Sequence, residues 1–265
     1  MYDKHFGLTF LPFERDISSE LLYEWPHFRE ALARLTYACQ KRTLAIITGE
    51  AGSGKSTLLR LLGHRLDQNG YLYLYLADSN LSVRNFYFSA LSALGLLPSG
   101  QLPKLKSQFK RAVLDYFENK GKTVVIAIDE AQTLETSMLF ELRFLLNYRC
   151  DSFSPLAVIL TGETTLRAVL KSYHMSGIWR RIDTGYHLEG MDLEQTTAYI
   201  NHQLKSAGCE HPIFPNDVIA RIQEKSKGLP AFVNALCRGC LFDAASRKQE
   251  LVDGENLARV LTDLS

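Results

Sequence analysis

The stretch Gly49-Glu50-Ala51-Gly52-Ser53-Gly54-Lys55-Ser56 decides the fold of this chain. It follows the apolar run of residues 44–48, which predicts a buried strand, and it opens a segment of helical periodicity over residues 55–69. A strand, a glycine-rich turn and a helix in this order form a loop whose backbone N–H groups surround a phosphate. Glycine suits the turn because it has no Cβ, and the helix N-terminus adds positive potential. The stretch therefore predicts a phosphate-binding loop.

The chemistry of this loop predicts a nucleoside triphosphate with Mg²⁺. Lys55 would neutralise the β- and γ-phosphates, and the Ser56 hydroxyl would ligate the metal. A dinucleotide-binding fingerprint is excluded because Thr57 stands where its third glycine would fall. The alternative is a glycine turn that arises by chance. The residues predicted to bind the nucleotide are Gly49, Glu50, Ala51, Gly52, Ser53, Gly54, Lys55, Ser56, Thr57 and Asp129.

An acidic pair provides the second signal. Asp129 and Glu130 follow the β-branched run of residues 123–128, so they stand at the carboxyl end of a predicted strand, where open α/β sheets bind ligands. Asp129 would hold the Mg²⁺ shell, and Glu130 would deprotonate a water that attacks the γ-phosphate. The alternative is a solvated strand end. Gln132 would either position that water or start a helix.

Two weaker candidates lie further along the chain. Thr161 ends the predicted strand of residues 156–161 and would sense the γ-phosphate, although the same turn could merely cap the next helix. Arg180 and Arg181 precede a predicted final strand and would reach the γ-phosphate of a neighbouring subunit as an arginine finger. The alternative for this pair is a surface ion pair with Asp183.

The composition fits a globular chain. Of 265 residues, 46% are hydrophobic and 22% are charged, which excludes disorder, collagen and a disulfide scaffold. The net charge of +1 means that any nucleic acid must bind a local basic patch, and residues 104–111 supply three lysines and an arginine without an acid. A solvated helix face explains that cluster equally well. We see no membrane span and no signal peptide, so we expect a cytoplasmic protein.

Five cysteines in a chain without an export signal predict reduced thiols. Cys237 and Cys240 have C-x-x-C spacing, but no second pair completes a zinc site. Because this segment is predicted to be helical, we interpret both as small buried apolar residues.

Strands alternate with helices up to about residue 190, which predicts a parallel sheet, and only helices follow. We therefore predict an irregular arm over residues 1–30, an α/β domain over 31–190 and a small all-helical lid domain over 191–265. The predicted strands cover residues 44–48, 71–76, 123–128, 156–161 and 186–188. The predicted helices cover residues 29–40, 55–69, 83–94, 104–119, 135–147, 164–172, 193–206, 216–227, 231–247 and 255–264.

The order of these motifs resembles the AAA+ ATPases, which are P-loop NTPases, and more narrowly the ExeA/GspA-like branch, which includes stand-alone ATPases of MuB/TnsC type. The resemblance implies ATP and Mg²⁺, Mg²⁺-dependent ATP hydrolysis and a ring or filament of identical subunits. It also makes Thr161 the first sensor and Arg181 or Arg180 the trans-acting finger, and it places residues 6–13 near the adenine. The segments that carry the narrower resemblance are His5-Phe6-Gly7-Leu8, Pro12-Phe13, Ile128-Asp129-Glu130-Ala131-Gln132, Leu142-Arg143, Leu146-Asn147 and Arg181-Ile182.

The chain departs from the family pattern at one position. The family has Gly-x-Pro-Arg in its lid, whereas this chain has Gly228-Leu229-Pro230-Ala231. The second sensor is therefore missing or moved, for example to Arg238, and hydrolysis would be slow or less tightly coupled to the lid.

Two outputs of ATP hydrolysis are compatible with the sequence. The first is a transposition regulator that oligomerises on duplex DNA through phosphate contacts and recruits or stimulates a transposase. The alternative is a secretion or cell-envelope ATPase; we favour transposition because the chain stops at Ser265, without the membrane part of such proteins. A small-molecule kinase fits less well, because a catalytic Glu beside the Mg²⁺ ligand favours water as the acceptor, and a nucleotide switch without turnover is a further alternative.

Overall fold

The computed structural model describes residues 2–77 and 81–264, and a parallel five-stranded sheet lies in its first two hundred residues. The strand order is β2-β3-β4-β1-β5, so β4 lies between β1 and β3 although it follows both in the chain. The strands are β1 (Leu44–Thr48), β2 (Tyr71–Leu76), β3 (Thr123–Ile128), β4 (Leu156–Gly162) and β5 (Ile182–His187).

Burial explains how well each strand was predicted. The three inner strands β1, β3 and β4 are buried at every residue, as continuous apolar runs in a parallel sheet should be. The prediction was wrong for β5, which begins at Ile182 and not at Tyr186. This edge strand carries polar Asp183 and Thr184 and is only partly buried, so it has no apolar run, and its pairing with β1 decides where it begins.

The ten predicted helices agree with the observed ones to within a few residues, whereas the short helices α1 and α8 were not predicted. α3 ends four residues early because Asp67 forms a turn, with its carbonyl accepting from the N–H groups of Gly70 and Tyr71. The bounds are α1 (Tyr2–Phe6), α2 (Pro26–Lys41), α3 (Lys55–Arg65), α4 (Val83–Ala93), α5 (Leu102–Glu118), α6 (Thr136–Leu145), α7 (Thr164–Lys171), α8 (Ser176–Trp179), α9 (Leu193–Ser206), α10 (Asn216–Ser226), α11 (Pro230–Ser246) and α12 (Gly254–Asp263).

The chain divides into two compact units. One contains the sheet and comprises residues 30–51 and 55–188; the other comprises residues 1–29, 52–54 and 189–265. The arm belongs to the second unit and is not wholly irregular, because it contains α1 and Pro26 already opens α2, a position that proline favours. Its Phe13 is fully buried, with edge contacts to the rings of Tyr199 and Phe214 at 6.4 and 6.5 Å.

The cysteines of α11 are part of the core of that unit. Cys237 and Cys240 are free thiols with no exposed surface. Burial raises the pKa of the Cys240 thiol to about 12 and raises that of Cys237 as well, so both stay protonated and unreactive. Their interpretation as small buried apolar residues is confirmed.

Candidate functional site

The carboxyl ends of three adjacent strands, β3, β4 and β1, bring the predicted site residues together. Asp129 directly follows β3, Thr161 lies near the end of β4, and the phosphate-binding loop follows β1. Because parallel strands end at the same edge of a sheet, Ser56 and Asp129 meet there although they are 73 positions apart in the chain.

The phosphate-binding loop depends on its glycines. Gly52 and Gly54 have φ angles of 81° and 99°, a region that residues with a side chain rarely adopt. The Lys55 ammonium donates to the carbonyls of Gly49 and Glu50, both at 3.0 Å, which leaves one of its three N–H bonds for a ligand. Within the described part of the chain, the buried Ser53 hydroxyl has no hydrogen-bond partner.

Asp129 is the centre of the hydrogen-bond network. Its buried carboxylate accepts from Ser56 Oγ at 2.7 Å and Tyr75 OH at 2.9 Å on Oδ2, and from Thr161 Oγ1 at 2.6 Å and Glu130 N at 2.9 Å on Oδ1. Four donors compensate for the loss of water around a buried charge. The structure thus joins Ser56, Asp129 and Thr161 in one cluster.

The donor set of this cluster fits Mg²⁺. The metal prefers oxygen ligands and usually takes one or two carboxylates together with substrate phosphates and water. Ser56 and Asp129 offer a hydroxyl and a carboxylate within 2.7 Å of each other. Among residues 2–77 and 81–264 there is no group of three or more His, Cys, Asp or Glu side chains that could hold an ion alone.

Glu130 has a left-handed backbone conformation, with φ of 51°. Strained residues of this kind cluster at functional sites. The Gln132 side chain donates to Glu130 Oε2 at 2.5 Å and accepts the N–H of Glu163 at 3.0 Å. Gln132 therefore ties the carboxylate of Glu130 to the turn between β4 and α7.

Sequence reasoning missed Tyr75. Its hydroxyl donates to Asp129, and burial together with the negative charge of Asp129 raises the pKa of Tyr75 to about 12, so it remains a donor. The only available signal was the Tyr-Leu alternation of β2, which places Tyr71, Tyr73 and Tyr75 on one face. That Tyr75 reaches Asp129 follows from the pairing of β2 with β3, where Tyr75 lies beside Ala127.

The two arginines have different surroundings. Arg181 forms a bidentate pair with Asp151, with both N–O distances 2.7 Å, so Asp183 was the wrong partner for the alternative interpretation. Arg180 is exposed at the end of α8. The arginine-finger role stays a prediction for both.

The arm engages Arg238. Its guanidinium donates to the Phe13 carbonyl and lies 3.7 Å from Glu14. The second-sensor role of Arg238 stays a prediction. The N–H of Ala231 donates to the Gly52 carbonyl at 3.1 Å. A Cβ on Gly52 would lie only 2.9 Å from that of Ala231, and one on Gly54 would lie 3.4 Å from the Trp25 ring.

The site and the sheet define an AAA+ P-loop fold, and residues 38–170 match the family model described as AAA domain. The chain belongs to this family, which implies the use of a nucleotide and Mg²⁺. It is 30% identical over 264 residues to General secretion pathway protein A of Aeromonas hydrophila, covering 96% of this chain. It spans 47% of that relative's length. No helix in the described part of the chain is long and apolar enough to cross a membrane.

Solved structures share the fold at low sequence identity. Cdc6p from Pyrobaculum aerophilum aligns with a TM-score of 0.72 at 13% identity, over 98% of this chain and 70% of that one. The Aeropyrum pernix ORC1 protein in complex with DNA gives a TM-score of 0.66 at 16% identity, over 95% and 68% of the two chains. The Thermotoga maritima RuvB Holliday junction branch migration motor gives 0.61 at 15%, over 89% and 68%.

Proposed function

We propose that this chain is a Mg²⁺-dependent ATPase that hydrolyses ATP to ADP and phosphate. The observation that carries the proposal is the 2.7 Å hydrogen bond between Ser56 Oγ and Asp129 Oδ2, which joins the phosphate-binding loop to the acidic pair. A loop that binds phosphate without this neighbour would have no carboxylate to complete a metal shell or to activate water.

Each side chain then has a distinct task. Lys55 binds the β- and γ-phosphates, and Ser56 with Asp129 would hold Mg²⁺, which neutralises phosphate charge when bound. Glu130 accepts a proton from the attacking water at its carboxylate. Thr161 fixes the Asp129 carboxylate through Oδ1, and Tyr75 fixes it through Oδ2.

The output of hydrolysis that we favour is secretion or a cell-envelope process. The support is the similarity to General secretion pathway protein A over 96% of this chain. This reverses our preference from the sequence, since the comparisons lend no support to transposition, a transposase partner or closeness to MuB and TnsC. DNA in the ORC1 structure belongs to a protein that shares only the fold.

We further propose that the chain works as a ring or filament of identical subunits. An arginine near the start of β5 would then complete the active site of a neighbour. The support is the position of Arg180 and Arg181 at the end of α8, with Arg180 exposed to solvent.

The nucleotide assignment is tested with Lys55→Ala. Removing the ammonium should abolish phosphate neutralisation, so we expect the ATPase rate to fall by about 100-fold or more. Arg60→Ala, on the same helix but outside the loop, is the matched control. A Lys55→Ala protein that hydrolyses ATP at the original rate would overturn the assignment.

The output is tested separately. In the host, the gene is deleted and restored as the original or as Lys55→Ala, and protein export across the envelope is measured. Only the original should restore export. If deletion of the gene leaves export unaffected and duplex DNA stimulates the ATPase in a salt-sensitive way, the results would favour the transposition hypothesis.

A further inference from the structure

A cavity apart from the candidate nucleotide site lies in the sheet-containing unit, among α4, α5 and α6. It has a volume of about 260 Å³, and none of the residues assigned to nucleotide chemistry lines it. Its floor is apolar, with the buried Phe109 and Leu145. We call it the α5–α6 pocket and define it by the side chains that carry its chemistry: Tyr87, Lys106, Lys110, Glu141, Phe144 and Tyr148.

The only carboxylate of the pocket is already neutralised. Glu141 is buried and accepts from Lys106 Nζ at 2.6 Å and from Tyr87 OH at 2.7 Å. Burial and the hydrogen bond to Glu141 raise the pKa of Tyr87, so its hydroxyl stays a donor. The negative charge of Glu141 is therefore balanced within the protein, and a ligand in the pocket meets little negative potential.

The remaining charge of the pocket is positive. Lys110 is exposed, and its ammonium lies 5.1 Å from the centroid of the Tyr148 ring. Lys104 and Arg111, on the same helix, are also exposed, and residues 104–111 contain no acid. Of these cations only Lys110 lines the cavity without a carboxylate partner among the described contacts, so an anionic group that approaches the cavity meets Lys110.

Exposed aromatic side chains extend the pocket along α6. Phe144 is 60% exposed and lines the cavity, and Phe140, one turn earlier on the same helix, is 42% exposed. Apolar surface of this kind beside a cavity marks interaction sites in soluble proteins. The cavity and the exposed rings of Phe140 and Phe144 together form a surface that suits a peptide segment. One apolar side chain of the segment can fill the cavity while the residues next to it cover the two rings.

We propose that the α5–α6 pocket docks a segment of a partner protein that carries an aromatic or leucine side chain flanked by Asp and Glu. The apolar side chain enters the cavity over Phe109 and Leu145, and an acidic neighbour pairs with Lys110, the exposed cation that lines the cavity. A nucleic acid fits less well, because sites for single strands follow the backbone along an extended groove with several stacking positions, whereas a cavity of about 260 Å³ admits one apolar group.

The test is a selection from a displayed library of random peptides of about 12 residues against the full chain. We expect enriched peptides to place Asp or Glu beside an aromatic residue or leucine. Lys110→Glu should weaken their binding by about tenfold or more, measured by fluorescence anisotropy, and Phe144→Ala by about threefold or more. Added salt should weaken binding to the original chain.

Matched controls lie outside the pocket in the same unit. Lys171→Glu and the 88%-exposed Tyr173→Ala should leave peptide binding unchanged. All four variants should keep the melting temperature and nucleotide affinity of the original chain, which shows that they fold.

Several results would overturn the proposal. These are a selection without enrichment, enrichment of neutral or basic peptides, or equal peptide binding by the pocket variants and the controls. The occupant would be a nucleic acid if no acidic peptide is enriched and labelled single-stranded or duplex DNA binds the original chain but not the Lys110→Glu variant. A change in self-association by sedimentation, confined to the pocket variants, would make it a second copy of this chain.

Discussion

At the scale of single residues, the site is organised around one buried carboxylate. Asp129 is held by two hydroxyls on one oxygen and by a hydroxyl and a backbone N–H on the other. Such a carboxylate cannot rotate without breaking several charge-assisted hydrogen bonds. Among the described residues, the carboxylate of its neighbour Glu130 accepts one hydrogen bond, from the Gln132 side chain, so one acid of the pair is held by four donors and the other by one.

This difference predicts the behaviour of Glu130→Gln. The amide keeps the shape of the side chain but cannot accept a proton, so kcat should fall by about 100-fold or more while the nucleotide affinity stays within about threefold. Single-turnover hydrolysis and fluorescent-nucleotide binding separate the two quantities. Glu135→Gln, on the surface just before α6, serves as the control. Hydrolysis at the original rate would remove Glu130 from its proposed role.

At the scale of elements, α12 is attached to α11 through one acidic residue. Asp243 on α11 accepts from Arg259 at 2.8 Å and from Asn256 at 2.7 Å, both on α12. The start of α12 is further fixed by a capping box between Asp253 and Asn256. The hydrogen bonds from Arg259, followed by those from Asn256 and Arg247, lower the pKa of Asp243 from 3.8 to about 2.

A lowered pKa makes the stability of this helix pair depend on pH. The contribution of Asp243 is complete above its ordinary pKa of 3.8 and is lost as the pH falls through about 2. Asp243→Asn should therefore lower the free energy of unfolding by about 1–2 kcal/mol at neutral pH, and the difference should vanish once the pH is below the lowered pKa. Urea unfolding over this pH range measures it, with Asp263→Asn at the exposed end of α12 as the control. A difference that does not change with pH would contradict this account.

At the scale of the whole molecule, the question is whether one subunit completes the site of another. Arg181 is paired with Asp151, and surface ion pairs of this kind are worth about 0–1 kcal/mol, so the arginine can exchange Asp151 for a phosphate at little cost. If the arginine finger acts in trans, two inactive variants can form an active site together when one supplies the arginine and the other supplies Glu130.

The corresponding prediction concerns a mixture of two inactive proteins. Arg181→Ala alone and Glu130→Gln alone should both be inactive, and an equal mixture should recover about a quarter of the original ATPase rate, because random assembly puts both intact groups at one interface in four. The same mixture made with Arg180→Ala shows which arginine acts. If neither the mixture with Arg181→Ala nor the mixture with Arg180→Ala is more active than its two components, the result would argue against an arginine finger that acts in trans.

The sequence by itself determined the parts of this protein that local chemistry dictates. The loop at residues 49–56 needs its glycines, and the buried inner strands β1 and β3 could be located to the residue because each is a continuous apolar run with one threonine at its end. The acidic pair Asp129 and Glu130 was evident for the same reason, since these two residues directly follow the apolar run of β3.

Only the tertiary structure decided how these parts meet. The insertion of β4 between β1 and β3 brings Thr161 onto Asp129, and the pairing of β2 with β3 brings Tyr75 there. Strand order and register depend on contacts between residues far apart in the chain, which periodicity does not encode. The edge strand β5 and the α5–α6 pocket escaped prediction for the same reason, because each is defined by its neighbours in space.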